Sequence, residues 1–218
     1  MKKSFLIIGT GTFGITVVKT LASLKADFMV IDKDPLAIEQ VSQYTTNCAI
    51  ADGKNIEALK EIDVKNVDHA IVSIGNNLQD AILIVINLKE LGVNKITVRI
   101  ENNSFKDVMF RLGATEVIIP EEASAISLAN QILSDSILDY YKINDEYSIA
   151  KVIVGEKFDE ITLMDLGSLK KFDINIIGIS RDYKFIQPKA NDKIKPYDIL
   201  TIFGPDKKIA KFDSLLNK

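Results

Sequence analysis

Three glycines near the start of the sequence have the types and spacing that phosphate binding requires. Gly9, Gly11 and Gly14 lie within FLIIGTGTFG at residues 5–14, directly after four apolar residues. In this pattern the first glycine permits a tight turn, the second lets the backbone approach a ligand phosphate, and the third lets a helix pack close to a strand. The amides at the start of that helix then face an anion. The stretch predicts a dinucleotide-type binding turn.

A carboxylate follows at the separation that this type of site needs. Asp32 ends the second apolar run, eighteen residues after Gly14, and can accept hydrogen bonds from both ribose hydroxyls of an adenosine. The glycine pattern alone is a weak signal. Its place after a predicted strand and before a predicted helix, together with Asp32, favours a nucleotide site over a glycine turn beside a surface aspartate.

Polar or small residues also follow three other predicted strands, where ligands bind on open parallel sheets. Asp52 is placed to reach an adenine amino group and Arg99 a phosphate, although a solvated loop aspartate and a surface arginine explain them equally well. Arg99 is the one evident counter-charge for a nucleotide. The candidate nucleotide-binding residues are Gly9, Thr10, Gly11, Thr12, Phe13, Gly14, Asp32, Lys33, Ala51, Asp52, Gly53, Ile74, Gly75, Asn76 and Arg99.

The sequence offers little for turnover of a bound nucleotide. Hydride transfer usually needs a proton donor near the substrate, and the one histidine, His69, opens a predicted strand at the end remote from the site. We find no nucleophile elbow, no cysteine and histidine spacing typical of metal sites, and no Walker lysine. Binding without catalysis is the interpretation we favour, with no catalytic residue.

The elements that must position these residues alternate along the first part of the chain. Short, almost continuously apolar runs predict strands buried on both faces of a parallel sheet, and longer helical patterns separate them. We predict a Rossmann-type doubly wound α/β domain with strand order 3-2-1-4-5-6. The predicted strands are 4–8, 27–32, 47–51, 68–74, 95–100 and 116–119, and the helices are 12–25, 35–44, 55–62, 77–91 and 103–112.

The pattern changes after Pro120. Residues 121–140 predict one exit helix with Ile126, Ile132, Leu133 and Ile137 on a common apolar face. Closer strand signals follow, at 147–154, 173–180, 183–187 and 198–204, with a closing helix at 205–216. We therefore expect a second, smaller α+β domain at 141–218, after a nucleotide-binding domain at 1–140.

Composition excludes several classes of partner. The 218 residues include 27 basic and 30 acidic side chains, so a formal net charge of -3 argues against nucleic acid or anionic lipid as the main partner. No apolar stretch reaches the roughly 20 residues that span a bilayer, and the glycines interrupt what would be a signal peptide. Cys48 is the single cysteine, which fits a reducing, cytoplasmic compartment.

Several motifs together resemble one family. GTGTFG, VIDKD, IADGKN, VSIGNNLQDA, LGATEVIIPEE and DEYSIAKVIV are similar to the cytosolic regulatory subunits of Ktr/Trk-type potassium uptake systems, which join an N-terminal and a C-terminal RCK domain. The likeness spans the whole chain, and LGATEVIIPEE before a small second module is its most specific part. It implies a homo-oligomer, a dimer within an octameric ring, docked on the inner face of a membrane potassium-translocating subunit. ATP and ADP would shift the ring between conformations.

The resemblance also implies roles for single residues. Gly9, Gly11, Phe13 and Gly14 would hold phosphates, and Glu121 would offer a carboxylate to a divalent cation, magnesium or calcium, at the dimer interface; a helix N-terminal acid is an equal alternative for Glu121.

Two positions depart from the family. Thr12 stands where members commonly carry an arginine that reaches the terminal phosphate. Leu169 stands where members that bind cyclic di-AMP carry arginine, which argues against that ligand.

Two other classes of function stay open. One is an NAD(H)-binding redox sensor or oxidoreductase, because Asp32 suits NAD but does not separate it from ATP. The other is a purely structural assembly module, which the intact glycine pattern argues against. Catalytic residues at the site would favour the redox sensor or oxidoreductase. Absence of any nucleotide binding would favour the assembly module.

Overall fold

The computed structural model describes residues 3–74, 77–166 and 173–217. By its contacts the chain divides into two compact units, Met1–Pro120 and Glu121–Lys218. The domain boundary that we expect near residue 140 falls inside a strand of the second unit, Ile137–Lys142.

The first unit is built on a six-stranded parallel sheet. Its strand order is β3-β2-β1-β4-β5-β6, which confirms the predicted doubly wound topology. The strands are β1 (Ser4–Ile8), β2 (Asp27–Asp32), β3 (Cys48–Ile50), β4 (His69–Val72), β5 (Ile96–Arg99) and β6 (Glu116–Ile118). The helices between them are α1 (Thr12–Ser23), α2 (Pro35–Val41), α3 (Ile56–Glu61), α4 (Leu78–Glu90) and α5 (Lys106–Leu112).

The central strand explains why the sheet needs helices on both faces. Leu6 and Ile8 of β1 belong to one buried cluster, which includes Ile84 of α4. Ile7, between them, packs in a second cluster with Val18 of α1. Successive residues of a strand point to opposite faces, so an unbroken apolar run must be covered on each side.

The second unit contains a five-stranded antiparallel sheet in the order β11-β10-β13-β8-β7 and a two-stranded pair, β12-β9. One helix begins where the last strand ends. The elements are α6 (Pro120–Ile132), β7 (Ile137–Lys142), β8 (Tyr147–Ile153), β9 (Ile161–Thr162), β10 (Asn175–Arg181), β11 (Lys184–Ile186), β12 (Lys193–Ile194), β13 (Ile199–Pro205) and α7 (Asp206–Leu216). Its core joins the sheet to α7 through Phe212, which is fully buried.

The predicted helix over 121–140 is wrong in its second half. The helix α6 ends at Ile132, and Ile137 opens the edge strand β7, which pairs with Val152 of β8. Residues 137–142 alternate apolar and polar side chains only roughly, so a helical period fitted them as well as a strand. The very short strands β9 and β12 were also missed, because two residues carry no period.

A helix that crosses a bilayer must be long and apolar. Among the helices of the described ranges, none combines the length and the apolar character that this needs.

Candidate functional site

The turn after β1 depends on a left-handed glycine. Gly9 has φ +92°, a conformation that favours glycine, and its N–H donates to the Ile31 carbonyl at 2.9 Å. The Ser73 hydroxyl, buried at the end of β4, donates to the Gly9 carbonyl at 2.7 Å. The turn is therefore fastened to both neighbouring strands. The sequence alone does not indicate this role for Ser73.

The other two glycines serve opposite purposes. A Cβ on Gly14 would lie 2.0 Å from the Gly9 carbonyl oxygen, so only glycine lets α1 begin this close to the turn. A Cβ on Gly11 would meet nothing within 4 Å. Gly11 is the N-cap of α1, with no side-chain cap and no acidic residue in the first turn. The first amides of α1 are thus available to an anion.

The Asp32 carboxylate is held by the same turn. Its Oδ2 accepts from the Thr10 amide at 2.7 Å and from the Thr10 hydroxyl at 2.8 Å, while Oδ1 accepts from the Asp34 amide at 3.0 Å. A carboxylate has about four acceptor positions. In this arrangement Asp32 can accept one ribose hydroxyl, rather than the two that the sequence suggests. Thr10 positions Asp32 and is itself buried.

The loop after β3 brings a second carboxylate to the same edge of the sheet. Asp52 is partly exposed, and its Oδ1 accepts from the Lys54 amide at 3.0 Å. Ala51 continues the β2 pairing, with its amide on the Asp32 carbonyl. Gly53 is buried, and a Cβ there would lie 2.8 Å from Ile8, so we assign this glycine to packing rather than to the ligand-contact role that we predicted.

A buried carboxylate that we did not predict lies behind this loop. Asp80, in the first turn of α4, has a side chain only 12% exposed. Its Oδ1 lies 3.2 Å from Lys54 Nζ, and its Oδ2 lies 3.9 Å from Lys33 Nζ. Arg99 is therefore not the one positive side chain at this edge. The sequence signal was a single acid ahead of the apolar run AILIVI.

An apolar pocket of about 210 Å³ opens at the carboxyl ends of β4 and β5. Ile74 forms one wall and also lies beside Gly9, so the pocket borders the glycine turn. Arg99, with a side chain 14% exposed, is the cationic residue in its lining and lies 3.8 Å from Glu101. The other lining residues are Leu78, Ala81, Ile100, Glu101, Asn102 and Phe105.

The remaining predicted positions fall into two groups. Thr12 is exposed in the first turn of α1, beside the half-buried Phe13. Gly75, Asn76 and Leu169 lie outside the described residues.

Glu121 is exposed in the first turn of α6. Across the described ranges, no three histidine, cysteine or acidic side chains are grouped as metal ligands would be. A cation at Glu121 would need ligands from a nucleotide or another copy, so its role stays a prediction.

His69 lies at the amino end of β4, as the sequence indicated. Its Nε2 is 2.7 Å from the Thr97 hydroxyl, which donates to Glu116 at 2.8 Å. Burial lowers the pKa of His69, although the Glu116 charge opposes that shift. The imidazole is therefore neutral at pH 7 and belongs to a polar cluster at the edge of the sheet remote from the glycine turn.

The chain matches two domain models in succession. Residues 5–120 match the TrkA-N domain, and residues 148–217 match the TrkA-C domain. Curated relatives align along nearly the full length. Ktr system potassium uptake protein C of Bacillus subtilis is 34% identical over 98% of this chain and 97% of the relative. Potassium uptake protein A of the same organism is 29% identical over 97% of this chain and 96% of its own.

Solved structures share the fold at low identity. A structure described as the GsuK channel bound to NAD superimposes with a TM-score of 0.68 at 16% identity, over 100% of this chain. The chain spans 40% of that channel chain. The TrkA-N domain of the Escherichia coli inner membrane protein ybaL gives a TM-score of 0.54 at 17% identity, covering 62% of this chain and 98% of that domain.

Proposed function

We propose a function from the premise that this chain belongs to the TrkA-N and TrkA-C family, together with the Ktr potassium uptake proteins that it resembles along its length. It is a regulatory subunit, not an enzyme, of a membrane potassium transport system. It binds an adenine nucleotide in the first unit and works on the cytoplasmic side of the membrane, peripheral to a potassium-translocating partner.

The geometry of the glycine turn carries the nucleotide part of the proposal. The uncapped start of α1, the open space at Gly11 and the fixed carboxylate of Asp32 lie together at the carboxyl edge of the sheet. Phosphates over β1 and a ribose over β2 would follow the order of the strands, with the base over β3. ATP and ADP then regulate transport if they bind two conformations with different affinities.

Calorimetry on the purified chain tests this proposal. We expect ATP and ADP to bind in the micromolar range or tighter, because the site is preformed. A companion assay for oxidation of NADH should show no turnover above buffer. Absence of binding by every adenine nucleotide would contradict the proposal and favour an assembly module, whereas steady NADH consumption would make the chain an oxidoreductase.

NAD(H) is the second candidate ligand, and the pocket beside Ile74 favours it. Its apolar walls would suit the aromatic ring that follows the second phosphate of NAD(H) better than they would suit a third phosphate. Arg99 would suit the second phosphate. The NAD-bound channel of similar fold supports a dinucleotide on this scaffold. Tighter binding of NADH than of ADP in the same calorimeter would favour this ligand.

A divalent cation is expected to separate ATP from ADP. Thr12 supplies no positive charge, and a cation held by Glu121 at an interface between copies would compensate the third phosphate. We expect magnesium or calcium to raise ATP affinity about tenfold more than ADP affinity, and Glu121→Gln to erase most of that difference. Glu122→Gln, at the next residue of α6, is the matched control. An unchanged affinity ratio after chelation of all divalent cations would contradict this mechanism.

Self-association is expected from the apolar surface of α6. Leu128 and Ile132 of α6, and Leu133 directly after it, are 59%, 75% and 82% exposed, which is unusual for large apolar side chains so close together. We propose that copies of the chain bury them in a dimer within an octameric ring. Light scattering should give a mass well above 24.2 kDa, and Leu133→Glu should lower it. Particles of monomer mass with and without nucleotide would contradict the proposal.

A further inference from the structure

Lys54 joins the carboxylate beside the predicted base site to the buried carboxylate of α4. Its Nζ lies 3.2 Å from Asp80 Oδ1 but 3.7 Å from Asp52 Oδ2, which is beyond a good hydrogen bond. The interaction with Asp80 is also the largest cause of the raised pKa of Lys54. The ammonium therefore stays charged and lies nearer to Asp80.

The helix α4 holds this loop at two points. Asp80 binds the ammonium of Lys54, and the Asn87 side-chain amide donates to the Lys54 carbonyl at 2.9 Å. The two α4 residues are seven apart, so they lie on one face of the helix. The Asn77 side-chain oxygen accepts from the Asp80 amide at the start of α4. The positive end of the helix dipole there favours a carboxylate.

This arrangement leaves Asp52 able to recognise a base. Its Oδ1 already accepts the Lys54 amide, whereas within the described residues Oδ2 faces the Lys54 ammonium at 3.7 Å, too far for a good hydrogen bond. A carboxylate oxygen accepts from the 6-amino group of adenine and repels the 6-carbonyl of hypoxanthine or guanine.

We infer that Asp80 is a positioning residue for base selectivity, because it draws the Lys54 ammonium away from Asp52 and so keeps Asp52 open to the adenine amino group. This inference rests on the proposed nucleotide site.

Paired ligands test the inference on the full chain. ADP and inosine diphosphate differ at position 6 of the base, so the ratio of their dissociation constants reports the contact with Asp52. We expect the wild-type chain to prefer ADP about tenfold or more. In Asp80→Asn, Lys54 loses its nearer partner and moves onto Asp52. ADP affinity should then fall about tenfold while inosine diphosphate affinity changes less than twofold.

A second substitution makes the outcome decisive. Removing the competing ammonium with Lys54→Met in the Asp80→Asn background should restore the preference to within about threefold of wild type. The single Lys54→Met variant should keep its preference. It leaves the Asp80 carboxylate without its nearer cation, so its thermal midpoint is measured as well, and the double variant, which removes both charges, carries the test. The matched control is Glu57→Gln, which removes a carboxylate from an exposed ion pair with Lys60 and changes net charge equally.

The possible results separate the two proposals. The positioning role would be overturned if the double variant is as unselective as Asp80→Asn. It would also be overturned if Asp80→Asn binds ADP and keeps the wild-type preference for ADP over inosine diphosphate. Failure of the wild-type chain to bind either nucleotide would instead overturn the proposed function, and the inference with it.

Discussion

Replacing Gly11 with aspartate is expected to abolish adenine nucleotide binding while leaving the chain folded. A Cβ added at Gly11 would meet no atom of the described residues within 4 Å beyond its chain neighbours, so the first atom of a side chain has room there. Aspartate is also a better helix N-cap than glycine, by a few tenths of a kcal/mol. The thermal midpoint should therefore stay the same or rise slightly.

The loss of binding follows from charge and space together. A carboxylate at the start of α1 would take the amides that we assign to phosphate. Two like charges about 4 Å apart repel by about 4 kcal/mol at an effective dielectric constant of about 20. That corresponds to roughly a thousandfold loss of affinity. Calorimetry with ATP and ADP measures it.

Two controls separate these causes. Gly11→Ala adds a methyl group without charge and should weaken binding less than tenfold. Ser23→Asp places the same charge at the last residue of α1, roughly 17 Å along the helix axis, where salt screens it from the phosphates. Unchanged ATP affinity in Gly11→Asp would remove the glycine turn from the site.

Gly14→Ala is expected to have the largest effect on stability. The added Cβ would lie 2.0 Å from the Gly9 carbonyl oxygen and 2.5 Å from the Ser73 hydroxyl, so α1 must move away from the turn. Overpacking typically costs about 1–3 kcal/mol. Because the obstacle here is backbone, we expect the upper end of that range, and a fall of about 10 °C in the melting midpoint of the first unit. Nucleotide binding should weaken with it.

Hydrogen exchange can locate that loss. The chain has no tryptophan, and amide exchange resolves the two units where a single spectroscopic signal would not. Protection should fall in β1 and β4 and stay unchanged in β8 and β13, which serve as the internal reference. Gly11→Ala is the matched glycine substitution. A Gly14→Ala variant with normal protection in β1 would contradict the close approach seen here.

Local patterns were sufficient for the first unit. Buried parallel strands are continuous apolar runs, so β1, β2 and β5 were predicted to within a residue or so at each end. The glycine spacing also indicated which position lacks room for a side chain. Strand bounds and glycine spacing both depend on residues that are close together in the sequence, so one sequence is enough to predict them.

Local patterns were not sufficient for the second unit. The edge strand β7 was assigned to a helix because an edge strand needs only one apolar face, and a few residues fit either period. The hydrogen bond between β7 and β8, rather than local propensity, decides that these residues are extended.

By itself, therefore, the sequence predicted the doubly wound sheet and its strand order, because apolar strands that alternate with helices are typical of that topology. The glycine spacing also predicted the tight turn at the start of α1, and phosphate binding by that turn stays a prediction. Only the tertiary structure decided the state of the charges at that edge. Asp32 is turned onto Thr10, and Lys54 lies closer to Asp80 than to Asp52. Thr10 and Asp32 are 22 residues apart along the chain, and Lys54 and Asp80 are 26 residues apart. The parallel crossovers bring each pair together. Charge pairing depends on distance in space, which no local pattern encodes.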